Sequence, residues 1–421
     1  MKKFLILIII GCVASTAGVA QGGETQNDSI TARRLHHRIL TLDAHIDLRS
    51  DFNGAGNDAS KETADQIDLP KLERGDLDVA TIALFADPLK RSPENTIIAR
   101  KQVDSKLAAL KKWVAASPQR LEFAYSSLDV ERIPAKEKHA ILLSFLNAIS
   151  LGQDITLIEK YYKEGVRVFG FAHAGNNDWA DSSRPNAAFG DTPNENGGLT
   201  SLGKKAVAEL NRLGIIIDVS QLTPAGVIQT IQLSNAPVIA SHSSVRGRVD
   251  NTRNLSNDEL KAIAASGGVV HIVAFTPYLR TSPEFTASYI KQVWEPYGLT
   301  YGKDDPKQKL DAATYQKYLD GYKEFSRNEW KFASIGDYLD AVDYAVRLIG
   351  IDHVGLSSDF NHGGGVTGFN SVAEAPNVTL ELLKRGYSEE DIKKLWGENF
   401  LRVFREVENY ARQQKSHLVL K

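Results

Sequence analysis

The sequence predicts an α/β fold: a TIM-like (β/α)8 barrel with C-terminal helices and long βα loops. Three observations carry the prediction. About eight short apolar runs, rich in Val and Ile, end in polar residues. Segments with helical periodicity lie between them, and glycines stand just past several of the helix ends.

Taken in order, residues 1–23 read as an export signal, because Lys2 and Lys3 precede the apolar run Phe4 to Ile10, which is too short to span a bilayer. Two processing routes fit. Ile9-Ile10-Gly11-Cys12 resembles a lipoprotein box, making Cys12 a candidate lipidation site, whereas Gly18-Val19-Ala20 offers small residues for ordinary signal cleavage. The expected location is therefore the periplasm or the outer membrane as a lipoprotein, or the secreted fraction. Cys12 is the single cysteine of the chain, so residues 24–421, expected to form one barrel domain, contain no internal disulfide.

The apolar runs are Ile39 to Ile46, Val79 to Phe85, Ala140 to Phe145, Val166 to Ala172, Gly214 to Val219, Pro237 to Ser241, Gly268 to Phe275 and His353 to Ser357. The helices expected between them include Asp154 to Glu164, Ser201 to Leu213, Pro224 to Leu233, Ser256 to Ala265 and Ile335 to Leu348. Val378 to Arg385 and Glu389 to Val407 read as terminal helices packed outside the barrel. Two connections are long for βα loops, Gly175 to Gly197 and Thr276 to Ala333; the second is expected to form short helices of its own. Both emerge at the C-terminal face, as lids over the site or as plain surface insertions.

Composition bounds the function. With 421 residues, 42% of them apolar, the chain can bury a large core, and a formal net charge of -2 provides no basic field for nucleic acid. A small-molecule partner is expected instead.

Strand C-termini of a parallel barrel converge on one mouth, and here they carry ionisable residues. The first run gives His45 and Asp47, the fourth His173, the sixth His242 and the eighth Asp359. His45 and Asp47, two apart on a strand, share a face and could bind one divalent ion; the alternative is a histidine donating to a neighbouring carboxylate. His173 and His242 fit either the site or a satisfied core. Asp359 is suited to a general base or proton shuttle, or to a helix N-cap. Arg253 could clamp a carboxylate in bidentate fashion or be an ordinary arginine.

Together the motifs resemble the membrane (renal-type) dipeptidases, peptidase family M19, over nearly the whole of residues 24–421. The resemblance rests on Asp43-Ala44-His45-Ile46-Asp47-Leu48, Asp68-Leu69-Pro70-Lys71-Leu72, Gly198-Leu199-Thr200, Asp218-Val219-Ser220, Ser241-His242-Ser243-Ser244, Arg253-Asn254-Leu255, Ser358-Asp359-Phe360 and Trp396-Gly397-Glu398-Asn399. It implies a metal-dependent barrel, usually a homodimer, that hydrolyses dipeptides at a two-zinc centre. By position, His45 and Asp47 match ligands of the first metal, His242 a ligand of the second, His173 the residue that polarises the scissile carbonyl, Arg253 the substrate-binding arginine and Asp359 the proton-transferring aspartate.

Two of the family's metal ligands are replaced. The bridging glutamate aligns with Leu146, which cannot ligate, and a histidine of the fifth strand aligns with Gln221, whose amide oxygen is a weaker zinc ligand. A bridging carboxylate helps hold two dications about 3.5–4 Å apart, so one ion, zinc or another divalent metal, is expected rather than two. Asn147 is no simple substitute, since adjacent strand residues face opposite ways. The expected function is hydrolysis of dipeptides or related small amides by a metal-activated water. The alternatives are an inactive small-molecule-binding homologue and a rebuilt centre with a different reaction.

Overall fold

The computed structural model describes residues 17–280, 283–301, 303–304, 306–329 and 333–419. Cys12 and most of the segment read as a signal lie outside the described residues; Ala17 opens a helix that runs to Arg38.

Among the described residues, nine parallel strands follow: β1 (Leu42–Ile46), β2 (Val79–Phe85), β3 (Leu121–Ala124), β4 (His139–Leu146), β5 (Val166–Gly170), β6 (Ile216–Asp218), β7 (Ile239–Ser243), β8 (Val269–Val273) and β9 (Val354–Ser357). Eight of them form the barrel in the order β1-β2-β4-β5-β6-β7-β8-β9. Each corresponds to one of the eight apolar runs. The barrel strands are buried along their whole length, as strands covered on both faces must be. β3 was not expected from the sequence. It pairs with the first half of β4, from His139 to Leu142, on the edge that β5 takes along the second half.

The seam between β9 and β1 is closed just beyond the strand ends. The Asp359 amide donates to the His45 carbonyl, and the Asp47 amide donates to the Phe360 carbonyl, each at 3.0 Å. Asp43 reinforces it by accepting from the Ser358 amide at 3.1 Å. This closure sets Asp359 beside His45 and Asp47.

The helices Ser201–Leu213 and Pro224–Leu233 have the predicted bounds. Ser256 and Glu259 form a capping box on Asn257–Ala265, satisfying first-turn amides that would otherwise be unpaired. Gly214 ends its helix at φ 80°, a conformation that costs glycine little. The connection 276–333 does form helices, among them Thr276–Leu279, Pro283–Tyr289 and Ala312–Glu329. Val293, Trp294, Leu299, Tyr318 and Phe325 give it a small core of its own.

The last helix, Asn399–Val419, does more than pack on the outside. Phe400, Val403, Phe404 and Val407 face Leu42, Val79, Ala140, Val168, Ile216, Ile239 and Val269, so the helix closes the N-terminal floor of the barrel. The opposite, C-terminal mouth holds the polar residues.

Candidate metal centre

His45, Asp47, His173, His242, Arg253 and Asp359 all lie at this mouth, with exposures from 1% for His45 and Arg253 to 5% for Asp359. The expected convergence is therefore observed. Nε2 of His45 stands 3.7 Å from Oδ1 of Asp47 and 4.0 Å from Oδ1 of Asp359. Neither His45 Nε2 nor Asp47 Oδ1 has a hydrogen-bond partner. Two buried polar atoms left unpaired and facing each other are costly unless something lies between them, and a nitrogen with two carboxylate oxygens is a donor set that suits a divalent ion.

Asp359 adopts φ 56°, unusual for a residue with a Cβ though tolerated by Asp. Gly364 makes the turn possible: a Cβ there would meet the Ser358 carbonyl oxygen at 2.0 Å and that of Asp359 at 2.4 Å. Burial, with repulsion from Asp47, raises the proton affinity of the Asp359 carboxyl above the usual value. In Asp47 burial acts in the same direction but is overcome by His362, whose Nδ1 lies 2.9 Å from Asp47 Oδ2, and Asp47 titrates below the usual range.

The position implied for a second metal has different chemistry. Leu146 packs with Ala83 and Phe85, and Gly170 leaves the space it needs, since a Cβ there would meet Leu146 Cδ1 at 2.8 Å. Asn147 is engaged elsewhere, donating to the Ala86 carbonyl at 3.1 Å and accepting from Asn177 at 3.3 Å. Gln221 Nε2 donates to His242 Nε2 at 2.8 Å, which occupies that nitrogen's lone pair. His242 Nδ1 must then carry the proton. It donates to Ser241 Oγ at 2.7 Å, and this hydroxyl donates to Asp218 Oδ2 at 2.6 Å. The remaining oxygen of Asp218 accepts from the amides of Ser220 and Ser241, so in the grouping of His45, Asp218 and His242 both Asp218 oxygens and both His242 nitrogens are engaged by hydrogen bonds. The residues present fit one ion and do not fit a second.

His173 lies against Phe85 and His362, with ring centroids 4.5 and 5.0 Å away. Burial, then the neighbouring Arg184, holds its pKa well below the ordinary value, so the ring is neutral. Arg253 donates to the carbonyls of Ser220 and His242, the latter at 2.8 Å, while its guanidinium lies over the Tyr278 ring; its Nε has no partner. Sequence reasoning missed Arg184 and His362. The latter could have been found as a histidine three residues beyond Asp359 in the same post-strand turn. Arg184 carries no such signal.

The family model described as membrane dipeptidase (peptidase family M19) matches residues 30–418. Among curated proteins, the dipeptidase tcpJ of Claviceps purpurea (strain 20.1) is 27% identical over 364 residues, 85% of this chain and 73% of that protein. The crystal structure of the probable dipeptidase PvdM from Pseudomonas aeruginosa is 42% identical, with a TM-score of 0.83 over 92% of this chain and 100% of that one. A metallo peptidase from Rhodobacter sphaeroides, solved with a phosphinate mimic of the dipeptide L-Ala-D-Ala, shares the fold at 21% identity and a TM-score of 0.69, over 88% of this chain and 99% of that one.

Proposed function

Because the chain belongs to the membrane dipeptidase family, peptidase family M19, whose members are metal-dependent hydrolases, we propose that it cleaves dipeptides or closely related small amides with one divalent ion, most naturally zinc, rather than two. The observation that carries the reading is the facing pair of unpartnered buried atoms, His45 Nε2 and Asp47 Oδ1, with Asp359 alongside.

His45 and Asp47 would hold the ion, with Asp359 in reach. When bound, the ion supplies a Lewis acid and makes a nearby water easier to deprotonate. Asp359, whose proton affinity is raised by burial, accepts that proton and returns it to the departing amine. His173 offers its unpartnered Nδ1 to the scissile carbonyl oxygen, and Arg253 offers its unpartnered Nε–H to the substrate carboxylate. His242, engaged by Gln221 and Ser241, serves as a wall of the site, its ring stacked on His45 with centroids 3.8 Å apart.

The test is metal content and dipeptide turnover of the purified protein after zinc supplementation and removal of loose ions. One equivalent with turnover that is abolished by His45→Ala supports the proposal. Two equivalents overturn the single-ion reading. One equivalent without turnover of any dipeptide in a broad panel overturns the hydrolase reading in favour of a small-molecule-binding homologue.

The N-terminal pattern supports export to the periplasm or the outer membrane, or secretion, with Cys12 as a candidate lipid anchor. Family resemblance supports a homodimer. Fatty-acid labelling of the wild type but not of Cys12→Ala, and a dimer mass by light scattering, are the expected results.

A further inference from the structure

Arg184 sits in the long connection 175–197, yet its placement is tightly specified. Its carbonyl accepts from the Gly175 amide at 2.8 Å, and Ala174, next to His173, pairs with Arg184 in a parallel bridge. One residue earlier, the Ser183 amide donates to the Gln221 carbonyl at 2.9 Å. Ser182 Oγ accepts from the Arg184 amide and donates to the His173 carbonyl. The loop is thus pinned on both sides of the site and delivers the Arg184 side chain between His173 and Gln221.

The hydrogen bonds made there run in one direction. A guanidinium can only donate, so Arg184 Nη2 donates to Gln221 Oε1 at 3.1 Å and to His173 Nε2 at 3.3 Å. The first contact fixes the Gln221 amide with its NH2 toward His242, and the relay continues through Ser241 to Asp218. The second leaves His173 with an accepting Nε2, so a neutral ring must carry its proton on Nδ1, the buried nitrogen that has no partner. Among the described residues no carboxylate forms an ion pair with Arg184, and its Nε is also buried without a partner. A cation with no paired carboxylate therefore stands against Gln221, one of the residues at the implied second-metal position, and against His173.

We propose that Arg184 joins Arg253 as a resident cation of this mouth, taking the electrostatic place of a second metal ion and acting as the positioning residue that fixes His173 in its Nδ1–H tautomer. The inference rests on the single-ion reading above for the role of His173 in hydrolysis, but the tautomer can be observed without it.

The experiment compares wild type, Arg184→Met and Arg184→Lys as full-length processed protein, by 15N NMR of the histidine rings with His173 assigned by difference against His173→Gln. The wild type should show protonated Nδ1 and unprotonated Nε2 at His173, with and without zinc. In Arg184→Met this pattern should be lost, kcat for dipeptide hydrolysis should fall roughly 100-fold with KM little changed, and added guanidinium should restore part of the rate. Arg184→Lys, whose ammonium likewise can only donate, should keep the His173 pattern and an intermediate rate; loss of the pattern in folded Arg184→Lys overturns the inference, so this variant carries the test if the Met variant misfolds. An unchanged His173 signature in folded Arg184→Met overturns the inference. If the wild type hydrolyses no dipeptide, the proposed function fails, while the ring signature still decides the role of Arg184.

Discussion

His362 holds its Nδ1 2.9 Å from Oδ2 of Asp47, and this leaves the other carboxylate oxygen, Oδ1, facing His45 without a partner. The imidazole thereby orients the carboxylate proposed above as a metal ligand. Groups that orient metal ligands typically contribute 10–100-fold in affinity. His362→Ala is expected to keep the fold and lower zinc affinity by at least about 10-fold, as measured by chelator competition. An unchanged affinity would show that Asp47 needs no such support.

The second-metal position should resist piecemeal restoration. Leu146→Glu buries a carboxylate beside Ala83 and Phe85 while His242 remains engaged by Gln221, so a lower Tm and metal content still near one equivalent are expected. Adding Gln221→His and Arg184→Ala frees a lone pair and removes the local cation. The triple variant should approach two equivalents by elemental analysis, and two equivalents in the single variant would refute this account.

The N-terminal helix introduces a pH dependence far from the site. His36 is buried, with Nδ1 2.7 Å from Thr379 Oγ1 and Nε2 3.0 Å from the Gly75 carbonyl, and burial lowers its pKa from 6.5 to about 4. Because the unfolded chain takes up this proton more readily, the contribution of His36 is complete above about pH 6.5 and is lost as the pH falls through about 4. His36→Gln, which cannot be protonated, should lose less Tm than the wild type between pH 7.5 and 5 in thermal unfolding. Parallel curves would remove His36 as a source of acid sensitivity.

Phe404 lies fully buried on the floor of the barrel. Phe404→Ala should cost about 3–5 kcal/mol, read from the midpoint of urea unfolding. A loss below about 1 kcal/mol would mean that the floor repacks, as well-tolerated core changes do.

Much of this architecture is legible in the sequence because the underlying physics is local. The buried strands declare themselves as Val- and Ile-rich runs, and His45 with Asp47 declares a shared face by spacing alone. Asp359 is readable as a strand-end carboxylate, although its distance from His45 depends on the seam hydrogen bonds. Arg184 is illegible for a physical reason: its position follows from a bridge to Ala174 and a backbone bond from Ser183 to Gln221, pairings that leave no periodic trace. β3 is short and half-buried at its centre, so it lacks the unbroken apolar character that marks its neighbours. The last helix shows its amphipathic period but not what that face covers. The side chains of Leu146 and Gln221 are readable in the sequence, whereas the Arg184 guanidinium that bonds Gln221 is not.

The helix Asn399–Val419 also orders events in time. The inward residues at the lower ends of seven strands, from Leu42 to Val269, find their apolar cover in Phe400, Val403, Phe404 and Val407. A chain emerging from the ribosome cannot dehydrate this lower core until those residues have been synthesised, whatever helices and strand pairs have already formed above it. Completion of the barrel is thereby deferred until Val407 has been made, and a chain truncated before Phe400 would expose a ring of aliphatic side chains to chaperones and proteases.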